Sequence, residues 1–332
     1  MTTIISRRAF CLSTAALTGT AFITPLRLLA MVPLQTQQPA TDFEVMKLRE
    51  GIHAIIGGGG NALAIASTDG GLLIDTKMPP VVDLLHTSSV DLLGGPPAII
   101  INTHHHGDHT GGNYRFSDHA SIIGHKNIQP RLQENIDGWI RQALLRMVRE
   151  AETQGDAARA AELRELAKSI SIEQFKADVE FADEHTLEHG GRKISLTHVT
   201  PGHTDNDAIV FLPNENVLHA GDLLFNGIHP FMDVSAKANS TGWRESLRRA
   251  IAMCDKDTIV VPGHGQITDR DGLTKQIHYF EVVEATVRNA VASGKDRDAV
   301  AALTIDEFAT YAGNRMGTNL GIVFDEVTGA TR

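Results

Sequence analysis

Residues 101–112 read INTHHHGDHTGG, and they follow directly on PPAII (96–100), the apolar body of a buried strand. Three histidines, an aspartate and a fourth histidine occupy the place where such a strand should simply pass into a loop. Alternate side chains of an extended chain point the same way, so His104 and His106 face one point while His105 faces the other way. The turn after Gly107 lets Asp108 and His109 swing toward a second point. Imidazole nitrogen and carboxylate oxygen are the donors that zinc takes in open, catalytic sites. One such run offers four ligands but cannot complete two metal sites, so the remaining donors are expected from other loops at the same sheet edge.

Three loops supply candidates, each just after an apolar strand and each with glycine immediately before the polar residue. THVTPGHTDND (197–207) gives His203, NVLHAGDLLF (216–225) gives Asp222, and TIVVPGHGQ (258–266) gives His264. Glycine there suits a tight turn and a close approach of the backbone. His219, inside a strand before Asp222, reads as a hydrogen-bonded core histidine, and His105 as packing or support for its neighbours.

The His-x-His-x-Asp-His run, followed in order by Gly-His-Thr, Gly-Asp and Gly-His-Gly, resembles the metallo-β-lactamase-fold hydrolases. That superfamily includes hydroxyacylglutathione hydrolases, lactonases and zinc β-lactamases. The resemblance covers roughly residues 43–290. It implies an α/β fold, an αββα sandwich of two sheets packed face to face. It further implies that His104, His106 and His203 hold a first metal, that Asp108, His109 and His264 hold a second, and that Asp222 bridges both. The expected cofactor is two Zn²⁺ per chain; with nitrogen and oxygen donors alone, iron or manganese also fits. A hydroxide shared by the two ions would cleave an ester, thioester, lactone or amide, with Asp108 orienting it. Asp75 in LLIDTK (72–77) resembles the family's Asp-Thr-Gly turn that supports the metal loop from behind, with Lys77 in place of the usual glycine.

The pattern along the chain agrees with a sandwich. Short strand-like runs with Gly and Asn punctuation fill 43–77, a helical spacing follows over 79–93, and SIIGH (121–125) is a further short strand. Residues of about 127–170 form a helical insert, two helices broken near Gly155, read as a lid or a dimer contact. Strands resume to about 222, and then come a helix at 241–253, a strand into the His264 loop, a long helix at about 272–291 and a short helix in TIDEFATYAG (304–313). The stretch FNGIHPFMDVSAKANSTG (225–242) should overhang the metals. Its His229, Phe231 and Met232 are candidates for substrate contact, with burial in the core as the even alternative.

The 332 residues are 42% hydrophobic, enough to bury a large core as one big domain or two small ones. A net charge of −10 argues against nucleic acid as a partner and against a nuclease, which needs a basic groove. A small-molecule substrate is expected; no oligomeric state is read from the sequence. SRRAFCL (Ser6 to Leu12) resembles a twin-arginine export signal, which makes residues 1–30 a signal peptide, 31–42 a linker and 43–332 the hydrolase domain. The apolar run is too short and polar for a stable membrane span, so no lasting membrane insertion is expected and the address is periplasmic. Cys254 is then the one thiol left, and no internal disulfide is needed.

Two alternatives compete with a general hydrolase. A zinc β-lactamase often has cysteine or serine at the Asp222 position and a lysine a few residues on; here Leu223, Leu224 and Phe225 follow. A mononuclear iron persulfide dioxygenase uses two histidines and an aspartate on the same scaffold and leaves the second site empty, whereas every second-site ligand is present here. Basic C-terminal elements of the kind that grip glutathione have no clear match in TIDEFATYAGNRMGTNLGIVFDEVTGATR (304–332), which is neutral to acidic.

Overall fold

A computed structural model describes residues 43–199 and 201–330; the expected signal peptide and linker lie outside the described residues. The chain opens with an antiparallel meander, β1 (Glu44–Arg49), β2 (Ile52–Ile56), β3 (Ala62–Ile65) and β4 (Gly71–Ile74). Helix α1 (Val82–Leu93) carries the chain over to β5 (Pro97–Ile101), parallel to β4, and the single turn α2 (Gly107–Thr110) precedes β6 (Ser121–His125). The insert follows as α3 (Gln129–Asn135), a π turn (Ile136–Ile140), α4 (Arg141–Thr153) and α5 (Ala157–Ser169). It is broken at Gly155, whose φ of +77° suits glycine, and Asp156 caps α5 by accepting from the Arg159 N–H. β7 (Val179–Phe181) completes a sheet of order β1-β2-β3-β4-β5-β6-β7.

The second sheet, of order β12-β11-β10-β9-β8, uses β8 (Glu184–His189), β9 (Arg192–His198), β10 (Ala208–Leu212), β11 (Val217–Asn226) and, after α6 (Ser240–Met253), β12 (Ile259–Gly265). The chain ends in α7 (Arg270–Ala292), α8 (Arg297–Ala301) and α9 (Met316–Thr328). No described helix is long and apolar enough to cross a membrane.

Strand alternation builds the layers. On β2, β3 and β4 the side chains of Ile52, Leu63, Leu72 and Ile74 pack between the sheets against Leu196, Val210, Val217 and Val261. The intervening Ile55, Ala62, Ala64 and Leu73 pack outward with Val82 and Leu85 of α1. On the second sheet Ile209, Leu218 and Val260 turn outward to Trp243 and Leu247 of α6 and to Phe280 and Val283 of α7. The inner strands β2, β3, β4, β10 and β11 are therefore buried on both faces, which is why they read as continuous apolar runs, while β8 alternates exposed and half-buried residues. The result is the αββα sandwich.

The C-terminal tail differs from expectation. TIDEFATYAG contains only a single 3₁₀ turn (Asp306–Phe308), and the helices lie on either side as α8 and α9. The α9 sequence MGTNLGIVFDEVT has two glycines and five β-branched residues, a poor intrinsic helix former. Burial of Leu320 and Val323 in the core shared with α7 stabilises it instead.

Candidate metal centre

All seven expected ligand residues lie at one edge of the sandwich, on the connections leaving β5 and β9 and on β11 and β12. His104 and His106 follow β5, and α2 presents Asp108 and His109 one turn later. The turn is closed by the Thr110 hydroxyl, which donates to the carbonyls of His105 (3.1 Å) and His106 (3.0 Å). Asp222 sits on β11 where the pairing with β12 loses register on both sides of Gly221. A Cβ on Gly263 of β12 would lie 1.9 Å from Asp222 Oδ1, so only glycine leaves room for that carboxylate.

Two groups of donors result. His104 Nε2 and His203 Nε2 stand 3.1 and 2.9 Å from His106 Nδ1. Asp222 Oδ2 lies 3.4 Å from His203 Nε2 and 3.8 Å from His104 Nε2. In the second group His264 Nε2 is 3.1 Å and His109 Nε2 3.8 Å from Asp108 Oδ2. Asp222 faces this group too, with Oδ1 3.0 Å from His109 Nε2 and Oδ2 3.3 Å from His264 Nε2. Within each group the donor atoms lie within 4.8 Å of one another.

The outward nitrogens decide what the inward ones carry. His106 Nε2 donates to Asp233 Oδ2 (2.9 Å), His203 Nδ1 to the Phe231 carbonyl (2.6 Å) and His109 Nδ1 to Asp75 Oδ2 (2.7 Å). The Thr103 hydroxyl gives its one proton to Asp75 Oδ2 (2.7 Å), so it accepts from His104 Nδ1 (3.1 Å). In their neutral forms these four imidazoles therefore aim lone pairs at common points. His109 Nε2 and Asp222 Oδ1 are buried without a hydrogen-bond partner. Facing lone pairs at such distances repel, and a buried unpaired polar atom costs about 1–3 kcal/mol. Positive charge between them removes both penalties, so the donor set fits metal ions.

The electrostatics agree. Burial pushes His104 well below the ordinary imidazole range and His203 down to about 3, keeping both neutral as ligation requires. Burial also acts to lower His264, but Asp222 and Asp108 outweigh it and push it up to about 9; His109 is raised in the same way. A metal-free site thus holds protons on the second group, and an incoming ion must displace them. The folded pKa of His264 lies above its ordinary value of 6.5, so the proton-bound form is stabilised fully below pH 6.5 and loses that stabilisation as pH rises through about 9. Metal affinity of the second group should therefore climb from pH 6.5 to 9, with proton release at pH 7. Calorimetry of metal uptake in buffers of different ionisation heat measures this directly. Uptake with no proton release would contradict the assignment.

One carboxylate organises much of the centre. Asp75, just beyond β4 and fully buried, accepts from Thr103 N (2.8 Å), Thr103 Oγ1 and His109 Nδ1, so it holds one histidine directly and His104 through Thr103. Asp233 and the Phe231 carbonyl do the same for His106 and His203, and nothing in the local sequence marks either. Asp207 closes the turn after His203 by accepting from Thr204 N (2.8 Å) and Oγ1 (2.6 Å). His105 belongs to neither group: its Nε2 lies 3.7 Å from Asp233 Oδ2, and its backbone N–H donates to Asn206 Oδ1 (2.9 Å). His219 is buried and accepts from the Gly221 N–H at 3.1 Å.

The insert touches this loop. Arg131 on α3 forms a bidentate pair with Asp205 (2.9 and 2.7 Å), and Asn135 donates to the His105 carbonyl. Its first turns therefore brace the metal loop from the side. Of the three candidates for substrate contact only Phe231 stands at the edge, its ring 5.5 Å from that of His106 and 5.9 Å from that of His203. Met232 is in the hydrophobic core, and His229 is buried with Nδ1 3.2 Å from the Tyr279 hydroxyl. The physical reason is that His229 meets Tyr279 of α7 and the Pro230 carbonyl accepts from Asn319 of α9, which draws this part of the segment onto those helices.

Comparison with known proteins places this geometry. A family model described as the Metallo-beta-lactamase superfamily matches residues 55–264. The chain is similar to a Metallo-beta-lactamase type 2 of Bacillus cereus, 28% identical over 106 residues that cover 32% of this chain and 41% of that protein. It is similar also to the Probable metallo-hydrolase YqjP of Bacillus subtilis strain 168, 28% identical over 179 residues that cover 50% and 54% of the two chains. The chain spans about half, or less, of the length of these curated relatives. Among solved structures it is similar to a metallo-beta-lactamase from Pontibacter korlensis, with a TM-score of 0.55 and 20% identity over 72% of this chain and 99% of that one. The FIM-1 metallo-beta-lactamase of Pseudomonas aeruginosa, solved in a mono-zinc form, gives a TM-score of 0.53 and 16% identity over 73% and 96%. At such identities the structural likeness shows the fold.

Proposed function

This chain belongs to the metallo-β-lactamase superfamily, whose members among its relatives are metallo-hydrolases, and on that premise we propose that it is a two-metal hydrolase of an ester, thioester, lactone or amide. The observation that carries the reading is the convergence of two complete donor groups on one shared carboxylate, with every outward histidine nitrogen but that of His264 held by an acceptor. His104, His106 and His203 would hold one ion, and Asp108, His109 and His264 the other. Asp222 would serve both, since a carboxylate has two oxygens to offer where an imidazole has one free nitrogen. Zinc is the expected metal, and iron or manganese suits the same donors. When bound, the two ions supply Lewis acidity, which acidifies water and polarises a carbonyl.

The residues then divide the remaining work. Asp222 is 3% exposed and Asp108 25%, so Asp108 is the carboxylate that meets incoming water and substrate. Burial acts to raise the Asp108 pKa, but His109 and His264 outweigh it and hold the group ionised. An ionised Asp108 accepts a hydrogen bond from the attacking water and orients its lone pair toward the carbonyl. Asp75 and Asp233 keep the imidazoles from rotating. The half-buried Phe231 ring walls one side of the site.

Hydrolysis of β-lactams is a narrower form of the same reading. Leu223, Leu224 and Phe225 after Asp222 are all buried, so this segment offers no cation to a drug carboxylate. The SRRAFCL stretch supports export through the twin-arginine route and work in the periplasm. The metal-loaded chain is expected to turn over at least one class in a panel of lactones, thioesters, esters and β-lactams, and to consume no oxygen with a persulfide. Oxygen uptake with a persulfide, and no hydrolysis, would replace this reading with a dioxygenase.

A further inference from the structure

The segment after α8 returns to the metal centre and brings a cation with it. Its backbone is fixed at two places. Ala312 N donates to the Gly227 carbonyl (3.0 Å) and His229 N to the Ala312 carbonyl (2.9 Å), which lays the tail beside the loop that carries Phe231. One turn on, Asn319 Nδ2 donates to the Pro230 carbonyl (3.0 Å) and to the Tyr279 hydroxyl (3.0 Å), and Asn319 N donates to the Arg315 carbonyl (2.9 Å). Arg315 stands between these anchors at the start of α9. Its guanidinium lies over the Phe231 ring, 4.4 Å from the centroid. That ring in turn borders His106 and His203.

Two things set Arg315 apart from the other arginines near the site. It is half-buried, yet among the described residues no carboxylate and no hydrogen-bond acceptor is paired with it; its contact is the face of Phe231. Arg131, by contrast, is committed to Asp205. Burial pulls the Arg315 pKa down, with the carboxylates of Asp108 and Asp222 acting in the opposite direction. A guanidinium stacked on an aromatic ring keeps its in-plane N–H fork free, and that fork matches a planar oxyanion.

We propose that Arg315 is a substrate-binding residue and that the substrate carries an anionic group, a carboxylate or its like, bound across Phe231 from the scissile bond. This rests on the two-metal reading above and narrows it to anionic esters, thioesters, lactones or amides. The charge that buried leucines deny at 223–225 then comes from the opposite end of the chain.

The test uses a matched pair of metal-seeking probes, 3-mercaptopropionate and its neutral amide, titrated into the metal-loaded full chain. Both present a thiol to zinc, and only the first presents a carboxylate. The wild-type protein should bind the acid about tenfold or more tightly than the amide, the scale of one charge-assisted pair. Arg315→Ala should abolish that preference while amide affinity, metal content and thermal midpoint stay unchanged, and Arg315→Lys should restore part of it. Equal affinity for acid and amide in the wild type, or a preference that survives Arg315→Ala, overturns the proposal. So does a loss shared equally by both probes, which marks a structural role. A chain that holds metal and binds the amide, but shows no preference, fails only this inference. A chain that takes up no metal fails the two-metal reading itself.

Discussion

Asp222→Ala should lower kcat/KM by about a thousandfold or more, because one carboxylate serves both donor groups and several kcal/mol of transition-state stabilisation depend on the ions it holds. The same change should strip metal from both groups, not one. Asp222 is the residue with an oxygen within 3.4 Å of histidines from each, namely His203 on one side and His109 and His264 on the other. The fold should survive, since the β11–β12 pairing that holds this segment is made by the backbone. Metal analysis and kinetics on the same preparation check both parts. Retention of one full equivalent of metal with near-normal turnover would mean that Asp222 bridges nothing.

Lys77→Met should cost about 3 kcal/mol or more of stability, measured by urea unfolding of the metal-free chain. Lys77 is fully buried, and its Nζ donates to the carbonyls of Ile55 (3.0 Å), Gly57 (2.6 Å) and Gly60 (2.6 Å). Three donors meet three acceptors, and the Phe43 ring lies 5.0 Å from the ammonium. Burial draws the pKa down to about 7, with Asp75 and Asp108 acting to hold the proton. Methionine fills similar volume but leaves three carbonyls in the 55–60 loop unpaired, at about 1–3 kcal/mol for each that stays dry. That loop also supports the centre: a Cβ on Gly60 would fall 2.3 Å from the His109 ring. Loosening it should weaken the second metal group as well. A loss below about 1 kcal/mol would show that water takes over the freed carbonyls.

What the sequence revealed divides along physical lines. His104, His106, Asp108 and His109 are legible because strand alternation and one turn, both local, place them. His203, Asp222 and His264 are legible because each follows an apolar run with a glycine before it, although the structure carries β11 past Asp222 to Asn226 and keeps His264 within β12. Asp233 and the Phe231 carbonyl were not, since their role comes from a loop pulled onto α7 and α9, a tertiary event without periodicity. Arg315 was hidden for the same reason: one basic residue in a neutral to acidic tail gains meaning only when Asn319 and Ala312 pin that tail beside Phe231. The one short helix expected in the tail was misplaced because α9 is held by burial of Leu320 and Val323, against its own weak propensity. Lys77 stood out as a departure from the family's glycine, but its three carbonyl partners lie 17 to 22 residues away and form no motif.

The central claim is that two donor groups share one carboxylate and hold two ions. Native mass spectrometry of the chain reconstituted with zinc, beside His264→Ala treated identically, measures it most directly. Two metal ions per wild-type chain and one per His264→Ala chain are the expected result. A single ion in the wild type, or the same count in both proteins, would contradict the two-metal centre.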